Sequence, residues 1–81
     1  MNYKIPLVLT PQAEGGYAVT SPLLPELVTE GDSVADAIDN ARDAFAAVVE
    51  LYEDLGRSLP RSTWIPPSAD PLWLETVLSA P

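Results

Sequence analysis

From Tyr3 to Leu9 every second residue is apolar (Tyr3, Ile5, Leu7, Leu9), with Asn2, Lys4 and Pro6 between them. That is the period of a half-buried strand. Pro6 cannot donate a ladder hydrogen bond, which places the strand at a sheet edge or turns its Pro6 side away from a neighbour. A second alternation, Tyr17, Val19 and Ser21, follows the Gly15-Gly16 pair, and the two runs predict a hairpin closed between Thr10 and Gly16. Pro22 and Pro25 bracket Leu23 and Leu24 and predict a bend, after which Leu27 to Glu30 forms a short third strand. A meander this small needs a cover on one face.

The next segment supplies that cover. Val34, Ala37, Ile38, Ala41, Phe45, Val48, Tyr52 and Leu55 recur at steps of three and four and predict a helix with one apolar face. Ser33 is its N-cap, Asp36 stands where it completes a variant capping box, and Asp32 and Asp36 suit the positive end of the helix dipole. Gly56 stops the helix, with Arg57 just beyond. The opposite face carries Asp36, Asp39, Asp43, Glu50 and Asp54. After Leu59-Pro60, Thr63 to Ile65 is expected to return to the sheet as a fourth strand, before Pro66-Pro67. Asp70-Pro71 predicts the N-cap and first turn of a short last helix carrying Leu72, Trp73, Leu74, Val77 and Leu78. The order is an α+β fold, β-β-β-α-β with a short C-terminal helix. Residues 1–67 form the domain and 68–81 a helical extension, joined by a proline-rich connector between Pro60 and Pro71.

Charge changes this picture more than size does. The 81 residues include 12 acidic and 4 basic side chains, for a net charge of −8. Such a chain repels nucleic-acid phosphate and suits a basic partner. With no cysteine and no histidine it lacks disulfides, thiolate chemistry and the commonest general base and metal ligand, and neither a cofactor nor a metal site is expected. Ile5 to Leu9, broken by Pro6, is too short for a signal or membrane segment, so a cytoplasmic protein is expected. A chain of this length buries only roughly 60–65% of its unfolded surface, which favours pairing with a second copy, as a dimer or tetramer, or with a partner.

The acidic helix face has two readings. It is the solvated side of an amphipathic helix, or it is a contact for a basic protein through Asp36, Asp39, Asp43 and Glu50. The second is favoured by the shortage of neutralising charge, since only Arg42 lies within the helix and a purely structural surface helix interleaves both signs. The carboxylates project outward along a long helix instead of converging in a cleft, so no enzyme is expected. Gly15-Gly16 precedes a strand and not a helix, unlike a phosphate loop. Asp32-Ser33-Val34 resembles the serine site of acyl carrier proteins, but over three residues only, and an N-cap accounts for the serine. Trp64 is expected in the core. Trp73, Leu74, Val77 and Leu78 are the candidates for an oligomer interface.

One ordered set of motifs carries further. GGY at Gly15, Gly16 and Tyr17 is followed by S-P-x-L-P at Ser21, Pro22, Leu24 and Pro25 and by T-x-G-D-S at Thr29, Gly31, Asp32 and Ser33. D-A-x-x-N-A follows at Asp36, Ala37, Asn40 and Ala41, and G-x-x-L-P at Gly56, Leu59 and Pro60. From Tyr17 to Pro60 the chain resembles the HicB-like antitoxin family of type II toxin–antitoxin systems. The resemblance implies a partial ribonuclease-H-like fold without the nuclease's catalytic carboxylates. It also implies a role, binding and neutralising a small basic HicA toxin, an mRNA-cleaving ribonuclease. The alternative is a solitary HicB-like oligomerisation or regulatory domain without a toxin. Glu26 stands where the family usually has glycine. The fourteen residues after Pro67 lack lysine and arginine and are too few for a helix-turn-helix, so direct operator binding is not expected of this chain.

Overall fold

The computed structural model of the chain describes residues 1–68 and 70–81. Its elements are β1 (Asn2–Tyr3), β2 (Val8–Pro11), β3 (Tyr17–Thr20), β4 (Val28–Gly31), α1 (Val34–Asp54), a 3-10 turn over Arg61–Thr63 and β5 (Trp64–Ile65). The expected α+β class is present. β2, β3 and β4 form an antiparallel meander with β3 in the centre, and β1 pairs with β5 in a separate two-stranded ladder.

The first apolar run is therefore two strands, with Lys4–Leu7 between them. Pro6 is the physical reason for the break, because it cannot give an N–H to either ladder. Lys4 N–H donates instead to the Thr63 carbonyl at 2.7 Å, tying the connector to the second ladder. In the hairpin, Gln12 N–H donates to the Gly16 carbonyl at 3.0 Å, and β2 pairs with β3 from Val8–Thr20 to Pro11–Tyr17. By strand alternation the even-numbered residues of β2 bond to β3, so the N–H that Pro11 lacks falls on the free edge.

The helix packs on the meander chiefly through β4. Gly31 meets its first turn so closely that a Cβ there would lie 2.3 Å from the Ala37 nitrogen and 2.6 Å from its Cα. Only glycine permits that approach. Next to it, Asn40 Nδ2 donates to the Glu30 carbonyl at 2.7 Å and closes part of the outer edge of β4. Ser33 caps the helix, its Oγ accepting from Asp36 N–H at 3.1 Å, but no returning bond from the Asp36 carboxylate accompanies it. The capping box is thus half formed, since aspartate is one methylene shorter than the glutamate that usually reaches back. At the other end Gly56 adopts φ +66°, Gly56 N–H donates to the Glu53 carbonyl and Arg57 N–H to the Tyr52 carbonyl. These are the two bonds of a Schellman motif.

Val19, Leu24, Leu27, Ala37, Ala41, Val48, Tyr52 and Leu59 form the core, ringed by half-buried Tyr3, Ile5, Leu7, Leu9 and Phe45. Tyr3 stacks edge-on against Phe45 at 5.8 Å between ring centres, fastening β1 to the helix. Of the two leucines of the bend, Leu23 is exposed and Leu24 fully buried; Leu27, just before β4, is likewise inaccessible to solvent, and its N–H closes a turn onto the Leu24 carbonyl. Leu55, expected on the apolar face, is instead exposed at the C-cap.

Two expectations about the last quarter are corrected. Thr63 lies in the 3-10 turn and the fourth strand is only Trp64–Ile65, which joins β1 and not the meander. The short helix after Asp70-Pro71 does not form, and residues 71–81 carry no regular structure. An isolated helix of that length is marginal in water, and Leu72, Trp73, Leu74, Val77 and Leu78 have no surface over them to repay its ordering. The Cα radius of gyration, 14.1 Å, accordingly exceeds the roughly 12 Å of a compact chain of this length.

Gly31→Ala should lower the unfolding free energy by about 3 kcal/mol, because the new methyl meets backbone that cannot move aside. Leu24→Ala should cost about 2–5 kcal/mol through lost burial and a residual cavity. Urea denaturation followed by circular dichroism measures both.

Candidate protein-binding site

The carboxylates of the helix divide into two groups. Asp36 and Asp39, on the first turns of α1, share a shallow polar hollow of about 430 Å³ with Gln12, Tyr17, Glu30, Asp32 and Asn40. The sharp T-x-G-D-S turn folds the end of β4 beside the start of the helix, so Glu30 and Asp32 join the acidic face there. Asp43 and Glu50 lie further along the helix, exposed and outside the hollow. Asp36 and Glu50 are fourteen residues apart, roughly 21 Å along the axis, so the set does not converge on one point. Arg42 offsets one charge through an exposed 3.1 Å contact with Asp39, an i,i+3 pair of small energetic weight. Among the described residues no three His, Cys, Asp or Glu side chains converge as a metal site would require.

Asp32, directly before the N-cap, and Glu30, three residues before it, were legible in principle. A second polar cluster was not. Tyr52 OH donates to Glu26 Oε2 at 2.9 Å, Arg57 approaches Glu26 Oε1 at 3.8 Å, and the Arg57 guanidinium sits 4.7 Å from the centre of the Tyr52 ring. Twenty-six residues separate Glu26 from Tyr52, and no local pattern announces the pair. Backbone hydrogen bonding first, then the Tyr52 hydroxyl and Arg57, hold the Glu26 carboxyl below its usual range, with desolvation opposing them. The bond to Glu26 in turn raises Tyr52.

The apolar residues expected at an oligomer interface lie elsewhere. Trp73, Leu74 and Val77 border a groove whose other walls include Ile5, Leu7, Leu9, Val34 and Ile38, while Leu78 stands outside it. Trp64 is half-buried, its Nε1 donating to the Leu59 carbonyl at 3.0 Å with the Arg61 guanidinium over its ring. No helix among the described residues is long and apolar enough to cross a membrane.

A meander covered by one helix, acidic on its outer face and open along one apolar groove, is a small two-layer α+β module. The chain is HicB-like in sequence. It is 37% identical over 59 residues to the antitoxin HicB 1 of Photorhabdus laumondii subsp. laumondii, covering 73% of this chain and 38% of that protein. It is likewise 37% identical over 57 residues to the antitoxin HicB of Escherichia coli strain K12, covering 70% of this chain and 41% of that protein. The chain thus spans about two fifths of the length of these curated relatives. No protein-family model matches it.

The Glu26 cluster sets a pH signature. A carboxyl lowered on folding contributes stability that is present above its unfolded value and lost as pH falls through its folded value. A phenol raised on folding contributes stability that is present below its unfolded value and lost as pH rises through its folded value. The cluster's contribution should therefore be level from about pH 5 to pH 9 and decline on either side. Tyr52→Phe, which keeps the buried ring, should flatten part of the acid decline and remove the alkaline decline due to this phenol. Thermal midpoints of both proteins across the pH range measure the difference, and parallel curves would show that the hydroxyl bond contributes nothing.

Proposed function

We propose that this chain is an antitoxin-type binding module that captures and neutralises a small basic HicA-type toxin in the cytoplasm and carries out no reaction itself. The observation that supports the reading most is the pairing of HicB-like sequence with a long helix whose free face is acidic and compensated within the helix by Arg42 alone. On this reading Asp36, Asp39, Asp43 and Glu50 are the toxin contact, with Glu30 and Asp32 extending it across the hollow. Opposite charges steer the encounter and raise the association rate more than the final affinity. The same reading takes the meander and its helix as a partial ribonuclease-H-like arrangement, reduced to a scaffold. Residues 1–67 are then the binding domain and 68–81 an appendage.

The test combines the chain with a basic HicA-type ribonuclease. A stoichiometric excess should block RNA cleavage, and unaltered cleavage would contradict the reading. The double variant Asp43→Lys, Glu50→Lys leaves the core and both helix caps intact. It should slow association on the order of ten-fold at low salt, with the gap narrowing as salt is added.

A further inference from the structure

The apolar groove of about 840 Å³ runs between residues 4–9 and the first turns of α1, walled by Ile5, Leu7, Leu9, Leu23, Val34 and Ile38. Residues 73–77 pass along its border, where Lys4 Nζ donates to the Trp73 carbonyl at 3.3 Å. Their side chains nevertheless stay in water, with Trp73 83%, Leu74 68% and Val77 65% exposed. An apolar segment therefore lies beside an apolar groove without filling it. Pro66, Pro67 and Pro71 fix φ through the approach to this segment and limit how it can turn inward.

We propose that the groove receives residues 72–78 of a second copy of this chain, the two copies exchanging segments about a two-fold axis with Trp73 as the anchor. Exchange buries in each copy what the single chain leaves wet, and an isologous contact does so twice. Charge selects this face over the others. Each copy carries −8, so contact between helix faces is repulsive, whereas the groove and its bordering segment hold one ammonium, Lys4, and one carboxylate, Glu75. A two-fold exchange brings Lys4 of each copy to Glu75 of the other. The three arginines are occupied within the chain, Arg42 by Asp39, Arg57 by Glu26 and Tyr52, and Arg61 by Trp64, while Lys4 makes no ion pair among the described residues. The proposal does not depend on the antitoxin reading, and a toxin-free sample tests it.

Sedimentation of the full chain at high micromolar concentration should give twice the 8.7 kDa chain mass. Trp73→Ser with Leu74→Ser should return the single-chain mass with an unchanged circular dichroism spectrum. A parent protein that sediments as a monomer, or a dimer that survives both substitutions, overturns the proposal. Because the chain has no cysteine, Ser62→Cys on the groove and Thr76→Cys on the segment give a second readout from near-isosteric changes. Oxidising a mixture of the two single variants should link one copy of each. In the protein carrying both substitutions, a bond that closes within one chain at monomer mass would show the segment strapping its own groove and would refute exchange.

Discussion

The fold turns on a place where backbone meets backbone. Gly31 at the end of β4 and Ala37 in the first turn of α1 approach within a distance that admits no side chain on the strand. That contact fixes how close the helix lies to the sheet, and the Asn40 bond to the Glu30 carbonyl alongside fixes its rotation. With both set, Ala37, Ala41, Val48 and Tyr52 fall on the core and the carboxylates fall on the outside. Small residues at the N-terminal end let the layers close, and Tyr52 fills the wider space toward the C-terminal end, where its hydroxyl finds Glu26.

The motifs on which the resemblance to the HicB-like family rests are mostly architectural in this structure. The glycine of T-x-G-D-S and the alanine of D-A-x-x-N-A are the two partners of that close approach, and the asparagine of the latter motif is the side chain that closes the β4 edge. The leucines of S-P-x-L-P and G-x-x-L-P are both core residues, Leu24 and Leu59. Such motifs specify a scaffold. The exposed carboxylates Asp39, Asp43 and Glu50 lie between or beyond them and take no part in the core.

Local chemistry made much of the fold legible. Ser33 and Gly56 mark the helix ends because each has a specific hydrogen-bonding task at a terminus, and Gly15-Gly16 marks the hairpin because the turn closes there. What escaped depended on tertiary context. Alternation from Tyr3 to Leu9 reads as one strand, yet Pro6 divides it between two sheets, and while β2 pairs locally with β3, the partner of β1 is β5, far along the chain. Asp70-Pro71 is a sound start signal, but a start signal does not make a helix where the segment's apolar side chains stay exposed within the single chain. At the acidic hollow, helical spacing found Asp36 and Asp39 but not their neighbours Glu30 and Asp32, and nothing local linked Glu26 to Tyr52.

The contact between Gly31 and Ala37 is directly measurable. In a nuclear Overhauser spectrum of the folded protein, a Gly31 Hα proton and the Ala37 amide proton, six residues apart, should give a strong cross-peak, because one Gly31 hydrogen points at the Ala37 nitrogen. A well-dispersed spectrum with α1 intact and no such cross-peak would mean that the helix sits on the sheet in some other way, and the division of its faces into core and acidic exterior would lose its basis.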